Sequence, residues 1–190
     1  MCHSKGKLMA KILKYVLGMD DANRFDSFFS VGAPAQDFQR YSAVDNRDDH
    51  VTDAEYDSKM FLTRYGKEPR PAEKGCMLSH YHMWKDFLAS DADWALIAED
   101  DILISPDLQP VVERIIEKYP HVQMVNLCDI YASEAGKLNP QVDYPRLSLF
   151  APFVYGKYRI GSAYSSKPLY GTGLYLLSRS GAERLVECFG

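Results

Sequence analysis

Strand-like apolar runs that alternate with amphipathic helical stretches predict an α/β fold, with a mostly parallel central sheet flanked by helices. Three observations carry that expectation. Residues 94–98 (WALIA) form a continuous apolar run, the pattern of a strand buried on both faces. Helical periodicity brackets this run, over residues 75–90 before it and 108–119 after it. Further strand-like runs occur near both ends of the chain, at residues 12–17 and 171–177.

In order, ILKYVL at residues 12–17 is read as the first strand. Its apolar residues also continue a helical spacing (Leu8, Met9, Ile12, Leu13, Val16, Leu17) interrupted by Lys11 and Lys14. The alternative there is a basic amphipathic helix in peripheral contact with a membrane. The same lysines spoil the segment as a signal-peptide core. A turn into a short helix follows in GMDDANRFDSFF, with Asp20 or Asp21 as N-cap. Residues 38–44 alternate and carry aromatic and β-branched side chains, so they predict a second strand. Residues 50–74 are polar, aperiodic and proline-bearing, and read as a surface loop.

The helix at residues 75–90 has the apolar stripe Met77, Tyr81, Trp84 and Leu88, widened by Leu78 and Phe87. After the central strand, Asp107 is the expected N-cap of a helix burying Leu108, Val111, Val112, Ile115, Ile116 and Tyr119. Pro110 falls in its first turn, where a missing N–H has no helical partner to lose, and Pro120 ends it. Residues 122–128 predict another strand. Residues 129–167 are loop-like, with Pro140, Pro145, Pro152 and then Pro168 among several aromatics, the composition of a functional loop. The last strand at 171–177 leads to Ser180-Gly-Ala-Glu183, read as a capping box for a final helix.

With 190 residues, the chain is long enough for one domain with a substantial core. Its 22 Lys and Arg against 26 Asp and Glu give a net charge of −4, which argues against nucleic-acid binding. Cys2, Cys76, Cys128 and Cys188 include no C-x-x-C pair, so neither a disulfide framework nor a zinc knuckle is indicated. Cys76 and Cys128 lie among apolar residues and are expected as buried thiols, in a reducing cytoplasm. No apolar run approaches the roughly 20 residues that span a bilayer.

The chemistry concentrates directly after the central strand, in Glu99, Asp100 and Asp101. Three adjacent carboxylates at a strand end are costly unless a cation neutralises them. Strand alternation would put Glu99 and Asp101 on one face and Asp100 on the other. Paired carboxylates of that kind suit a hard divalent cation, although a solvated acidic turn has the same sequence. In open α/β sheets, ligands bind beyond the carboxyl ends of the strands, where this cluster falls.

The segments KILKYVLGM, DFQRYSAVDN, EKGCMLSHYHMW, ALIAEDDILI and YGTGLYLLSRSGAERL, in that order, resemble glycosyltransferase family 25, the bacterial lipooligosaccharide galactosyl- and glucosyltransferases. The resemblance runs from about Lys11 to the end, which leaves residues 1–10 as an N-terminal extension to a glycosyltransferase domain at 11–190. It implies a GT-A-like, Rossmann-like nucleotide-sugar fold. It also implies inverting transfer of galactose or glucose from UDP-galactose or UDP-glucose to a lipooligosaccharide, lipopolysaccharide or other glycolipid acceptor. A manganese (or magnesium) ion would be held by Glu99 and Asp101 of the DxD-like motif, with Asp100 and Asp101 as the catalytic carboxylates. Ala43 and Asp45 match the segment near uridine and ribose; Gly75, Ser79 and His80 match the donor-pocket segment; Gly171 and Gly173 match the glycines where donor and acceptor meet.

The resemblance also implies work at the cytoplasmic side of the bacterial inner membrane, with the enzyme peripheral to it. Family members continue past the final helix, so the stop at Gly190 suggests C-terminal truncation, and they usually carry an Asn-Leu-like pair where this chain has Gly18-Met19. General-base candidates are Asp100, Asp129, Asp143 and His80. His80 and His82, two apart on a helix, point to different faces, and His80 reads as a pocket or packing residue. Arg24 and Arg40 are candidates for phosphate contacts or for surface ion pairs. Tyr131, Tyr155, Tyr158, Tyr164 and Tyr170 are candidates to stack on sugars or to pack the long loop. Two other classes fit the same residues: a non-catalytic sugar-nucleotide or glycan binder, and a metal-dependent phosphoryl-transfer enzyme, which would lack a phosphate-cradling glycine loop here.

Overall fold

The computed structural model describes residues 10–21, 23–128, 150–162 and 172–189. Its first half contains β1 (Ile12–Gly18), α1 (Arg24–Ser30), α2 (Ala33–Gln36), β2 (Gln39–Ser42), α3 (Ser58–Tyr65) and α4 (Pro71–Ala89). Then come β3 (Trp94–Glu99), α5 (Leu108–Lys118), β4 (Met124–Asn126), β5 (Phe153–Tyr155), β6 (Tyr158–Arg159), β7 (Leu174–Ser178) and α6 (Arg179–Phe189). Five strands form one sheet in the order β2-β1-β3-β7-β4, and β5 and β6 form a separate hairpin.

The mixed α/β architecture agrees with the sequence. β1 pairs in parallel with both β2 and β3, but β7 runs antiparallel to β3 and to β4. One reversed strand therefore sits inside an otherwise same-direction sheet, and it brings the amino end of β7 beside the carboxyl end of β3.

Alternation in β3 divides the core. Trp94, Leu96 and Ala98 pack with Phe28, Val112 and Ile115 on the face covered by α1 and α5. Ala95 and Ile97 pack with Met83, Phe87 and Tyr175 on the face covered by α4 and α6. Leu96 and Ile97 are each 0% exposed, and full burial of such a side chain is worth about 1.5–3 kcal/mol. By the same period of two, Glu99 emerges on the α4 side.

Several expectations need correction. β1 is a strand, which removes the amphipathic membrane helix over residues 12–18. No helix among the described residues is long and apolar enough to cross a membrane. Residues 50–74 hold α3, capped by Asp57 accepting from the Met60 N–H at 2.8 Å and closed by Gly66 in the left-handed conformation. A low apolar periodicity hid that helix, whose residues are all at least partly exposed. The proline read as loop, Pro71, is the first residue of α4, where its fixed φ suits a helix start. The α1 N-cap position is held by Asn23, with no side-chain capping bond, while Asp20 and Asp21 are engaged by Ser42 and Arg47. In α6 the capping oxygen belongs to Ser178, which accepts from the Gly181 N–H at 3.1 Å, rather than to Ser180.

The buried face of α4 is also displaced from the apolar stripe. Ser79, His80, Met83, Trp84 and Phe87 are buried, while Met77, Tyr81 and Leu88 are half-buried. Two polar residues occupy the buried centre: Ser79 is fully paired, and His80 is paired through Nδ1. The Ser79 hydroxyl donates to the Gly75 carbonyl at 2.7 Å and accepts from the Val44 N–H at 2.8 Å.

Candidate functional site

The carboxyl ends of β1, β2 and β3 and the amino end of β7 converge on one edge of the sheet. The Asp100 N–H donates to the Leu17 carbonyl at 3.0 Å, the Glu99 N–H to the Gly173 carbonyl at 2.8 Å, and the Ala43 N–H to the Gly18 carbonyl at 2.8 Å. These bonds tie the acidic cluster, the end of β2 and the glycine before β7 into one framework.

β3 ends at Glu99, and Asp100 and Asp101 lie in the turn that follows. Alternation therefore stops one residue too early for Glu99 and Asp101 to share a face, which corrects that expectation. Asp100 and Asp101 instead flank one guanidinium, Arg24 at the start of α1, at 3.6 and 3.8 Å. Asp100 is buried at 8% exposure, whereas the Asp101 side chain is 56% exposed. Burial raises the Asp100 carboxyl above its usual range; Arg24 opposes this, and the Asp101 and Glu99 charges reinforce it. A Cβ on Gly18 would collide with the Asp100 carboxylate and lie 2.8 Å from the Phe25 ring, so glycine at the end of β1 makes room for that carboxylate.

Glu99 turns the other way. Its carboxylate accepts from the Thr172 hydroxyl and lies 3.7 Å from His80 Nε2. The His80 ring beside it holds the Glu99 carboxyl below its ordinary range, against the opposing effect of burial. Behind His80 stands a buried network: Tyr175 Oη is 2.8 Å from His80 Nδ1 and accepts from Trp84 Nε1 at 2.9 Å. Burial pushes the Tyr175 hydroxyl well above its ordinary value, so it stays protonated. His80 Nε2 is buried and has no hydrogen-bond partner.

Cys76, one turn before His80 on α4, completes this side. It is exposed, which corrects the buried-thiol expectation, and Cys128 is half-buried. Crowded surroundings, followed by the nearby Glu99 charge, push the Cys76 thiol above the usual thiol range, with Thr172 opposing them. Ligating atoms of Cys76, His80 and Glu99 all lie within 4.8 Å of one another.

The remaining candidates fall as follows. Ala43 is half-buried at the end of β2. Asp45 forms a two-pronged pair with Arg47, with contacts of 2.6 and 2.9 Å, which holds its carboxyl down at about 2. Gly75 is buried on α4 against the loop after β2; a Cβ there would sit 2.7 Å from the Val44 carbonyl. Gly173 is in the site, against Cys128 and Ile102. Arg40 pairs with Asp26 at 3.2 Å and lies over Phe25, away from the acidic cluster's Arg24. His82 is exposed on the opposite face of α4. Tyr155 is exposed on β5, and the Tyr158 hydroxyl donates to Asp107 at 3.2 Å. Gly171, Asp129, Asp143, Tyr131, Tyr164 and Tyr170 lie outside the described residues.

Sequence reasoning missed Cys76, Thr172 and Tyr175 as members of this cluster. The signal available for the first was the Cys76–His80 spacing, which places both side chains on one helical face. Asp100 and Asp101 offer oxygen donors, the donor type a hard divalent cation takes, and Arg24 is the cation that stands beside both of them.

Comparison with known sequences gives a consistent result. The model of glycosyltransferase family 25, described as an LPS biosynthesis protein, matches residues 14–190. A curated relative from Aedes aegypti, "Glycosyltransferase 25 family member", is 30% identical over 171 residues, which is 86% of this chain and 25% of that protein. The chain thus spans about a quarter of the length of that relative.

Proposed function

The chain belongs to glycosyltransferase family 25, and from that premise we propose that it transfers a hexose, galactose or glucose, from a UDP-sugar to a surface-glycan or lipopolysaccharide acceptor with inversion. Membership supports glycosyl transfer as the activity; the donor, the acceptor, the GT-A assignment and the stereochemistry are part of the proposal. The observation that carries it is the placement of Asp100 and Asp101 around Arg24 at the carboxyl end of the central strand.

Asp101, the exposed carboxylate of the pair, is the proposed ligand for manganese or magnesium, with Glu99 and Asp100 adding negative potential. A divalent ion there would supply the Lewis acid that neutralises the departing diphosphate. Arg24 is the chain's own cation beside that position, suited to a phosphate oxygen. Asp100 is the proposed general base: its raised carboxyl is closer to neutrality than an ordinary aspartate, as proton transfer requires. It takes the acceptor hydroxyl's proton as the acceptor oxygen bonds to the anomeric carbon and the bond to the phosphate oxygen breaks, releasing UDP. Ala43 and Asp45 are proposed for the donor side, with the buried Gly75, Ser79 and His80 shaping it from behind, and Gly173 for the boundary with the acceptor. We place the activity, as part of the same proposal, on the cytoplasmic side of a membrane that would carry a glycolipid acceptor.

The test is manganese-dependent UDP release from UDP-galactose and UDP-glucose, with Asp101→Asn as the control. UDP binding and turnover that both fall at least tenfold in Asp101→Asn support the reading. Binding without turnover in the unaltered chain indicates a sugar-nucleotide-binding domain instead, and no binding of either nucleotide sugar overturns it.

A further inference from the structure

The geometry points to a second, softer metal site on the opposite side of the acidic cluster, in which Cys76, His80 and Glu99 bind a zinc-like divalent transition ion. This goes beyond the transferase reading, which uses Asp101 and a hard cation. The three side chains come from two elements: Cys76 and His80 are four residues apart on α4, and Glu99 ends β3 beside them. Their ligating atoms lie within 4.8 Å of one another, close enough for small adjustments to bring all three onto one ion. One thiolate, one imidazole and one carboxylate form a set that zinc accepts, and three protein ligands leave a fourth position open.

The second observation is the orphaned nitrogen. His80 is 1% exposed, and its Nε2 has no hydrogen-bond partner although it faces the cluster. The Glu99 oxygen at 3.7 Å is too far for a hydrogen bond. A buried polar atom left this way is costly, and a metal ion between it and Glu99 would satisfy it. Supporting groups are already in place. His80 Nδ1 shares a 2.8 Å hydrogen bond with Tyr175 Oη, which fixes the ring and aims Nε2 at Glu99, and any proton on Nε2 leaves as the metal binds. Thr172 donates to Glu99, orienting the carboxylate. Cys76 is exposed and offers an entry path. On loading, a sulfur–metal bond forms and the thiol proton leaves to water.

Cobalt(II), titrated alone into the full chain under reducing conditions, is the probe, read by its thiolate charge-transfer and d–d absorption. One equivalent should give a tetrahedral spectrum with a charge-transfer band. Cys76→Ser should abolish the band, and Glu99→Gln should weaken cobalt binding at least tenfold. Asp101→Asn should leave both features in place, so failure of the hard-cation reading is distinguishable from failure of this one. Should Cys76→Ser not fold, zinc protection of individual cysteines from alkylation in the unaltered chain gives the answer: Cys76 should be protected, and Cys2 and Cys188 should not. Cobalt binding without a thiolate band, or a band that survives in folded Cys76→Ser, overturns the proposal.

Discussion

Replacing Tyr175 by Phe removes one oxygen and almost no volume, so its effect isolates the buried network behind the site. Tyr175 is 1% exposed, and its hydroxyl is the partner of both His80 Nδ1 and Trp84 Nε1, at 2.8 and 2.9 Å. Loss of that oxygen leaves two buried polar nitrogens unpaired, each costing roughly 1–3 kcal/mol. The two together should cost about 2–6 kcal/mol, less whatever is regained by no longer burying the hydroxyl. For a domain of this size, about 2–4 °C of Tm accompanies each kcal/mol, so a fall of about 4–24 °C is expected. Urea unfolding followed by circular dichroism supplies the free energy, and the exchange rate of the Trp84 indole N–H supplies the local readout. Tyr41→Phe is the matched control: it loses one bond, to Asp86 at 2.7 Å, at a half-exposed position and should cost less than about 1 kcal/mol. Equal costs for the two substitutions, with an unchanged indole exchange rate, would refute the coupling of His80, Tyr175 and Trp84.

Asp100→Asn should stabilise the fold at neutral pH while abolishing transfer, because a buried group of raised carboxyl value destabilises once ionised. The sign follows from linkage: the folded state binds the Asp100 proton more tightly, so the variant's advantage should emerge as pH rises from the ordinary carboxyl range and vanish in acid. Glu99→Gln should behave oppositely: the lowered Glu99 carboxyl stabilises above its unfolded value, and that contribution is lost as pH falls through the folded one. Thermal melts from pH 3 to 7 separate the two. Arg47→Ala should let the Asp45 carboxyl climb from about 2 toward its ordinary value, measured by side-chain NMR titration; an unmoved value would mean that another group holds it down. Gly75→Ala should cost about 1–3 kcal/mol, since its Cβ would press on the Val44 carbonyl 2.7 Å away, and unfolding midpoints within 0.5 kcal/mol of the unaltered chain would contradict that crowding.

The large features of this fold were legible because they rest on strong periodicities. β3, α5 and the end of α4 follow directly from apolar spacing. The α3 helix was not legible, because a helix that buries no residue has little stripe to read. The displaced face of α4 has a similar origin: Ser79 and His80 are polar, and only tertiary partners (the Val44 N–H and Tyr175) make their burial tolerable. The acidic cluster was correctly placed at a strand end, but its internal division was not readable. Whether Asp101 continues the pleat depends on where β3 stops, and propensity does not fix a strand end to one residue.

The direction of β7 matters most for what the site contains. A five-residue strand spans roughly 16 Å, so a β7 parallel to β3 would carry Gly173 and Thr172 to the far edge of the sheet. Reversed, it pairs Leu174 with Ala98 and sets the Gly173 carbonyl on the Glu99 N–H. The same reversal places Tyr175 opposite Ile97 on the α4 face, where its hydroxyl meets His80. Glu99 therefore has a hydroxyl and an imidazole waiting on one side of the sheet, while Asp100 and Asp101 have a guanidinium on the other. Three consecutive carboxylates become tolerable because β3 ends between the first and the second, so that no single side of the sheet has to neutralise all three.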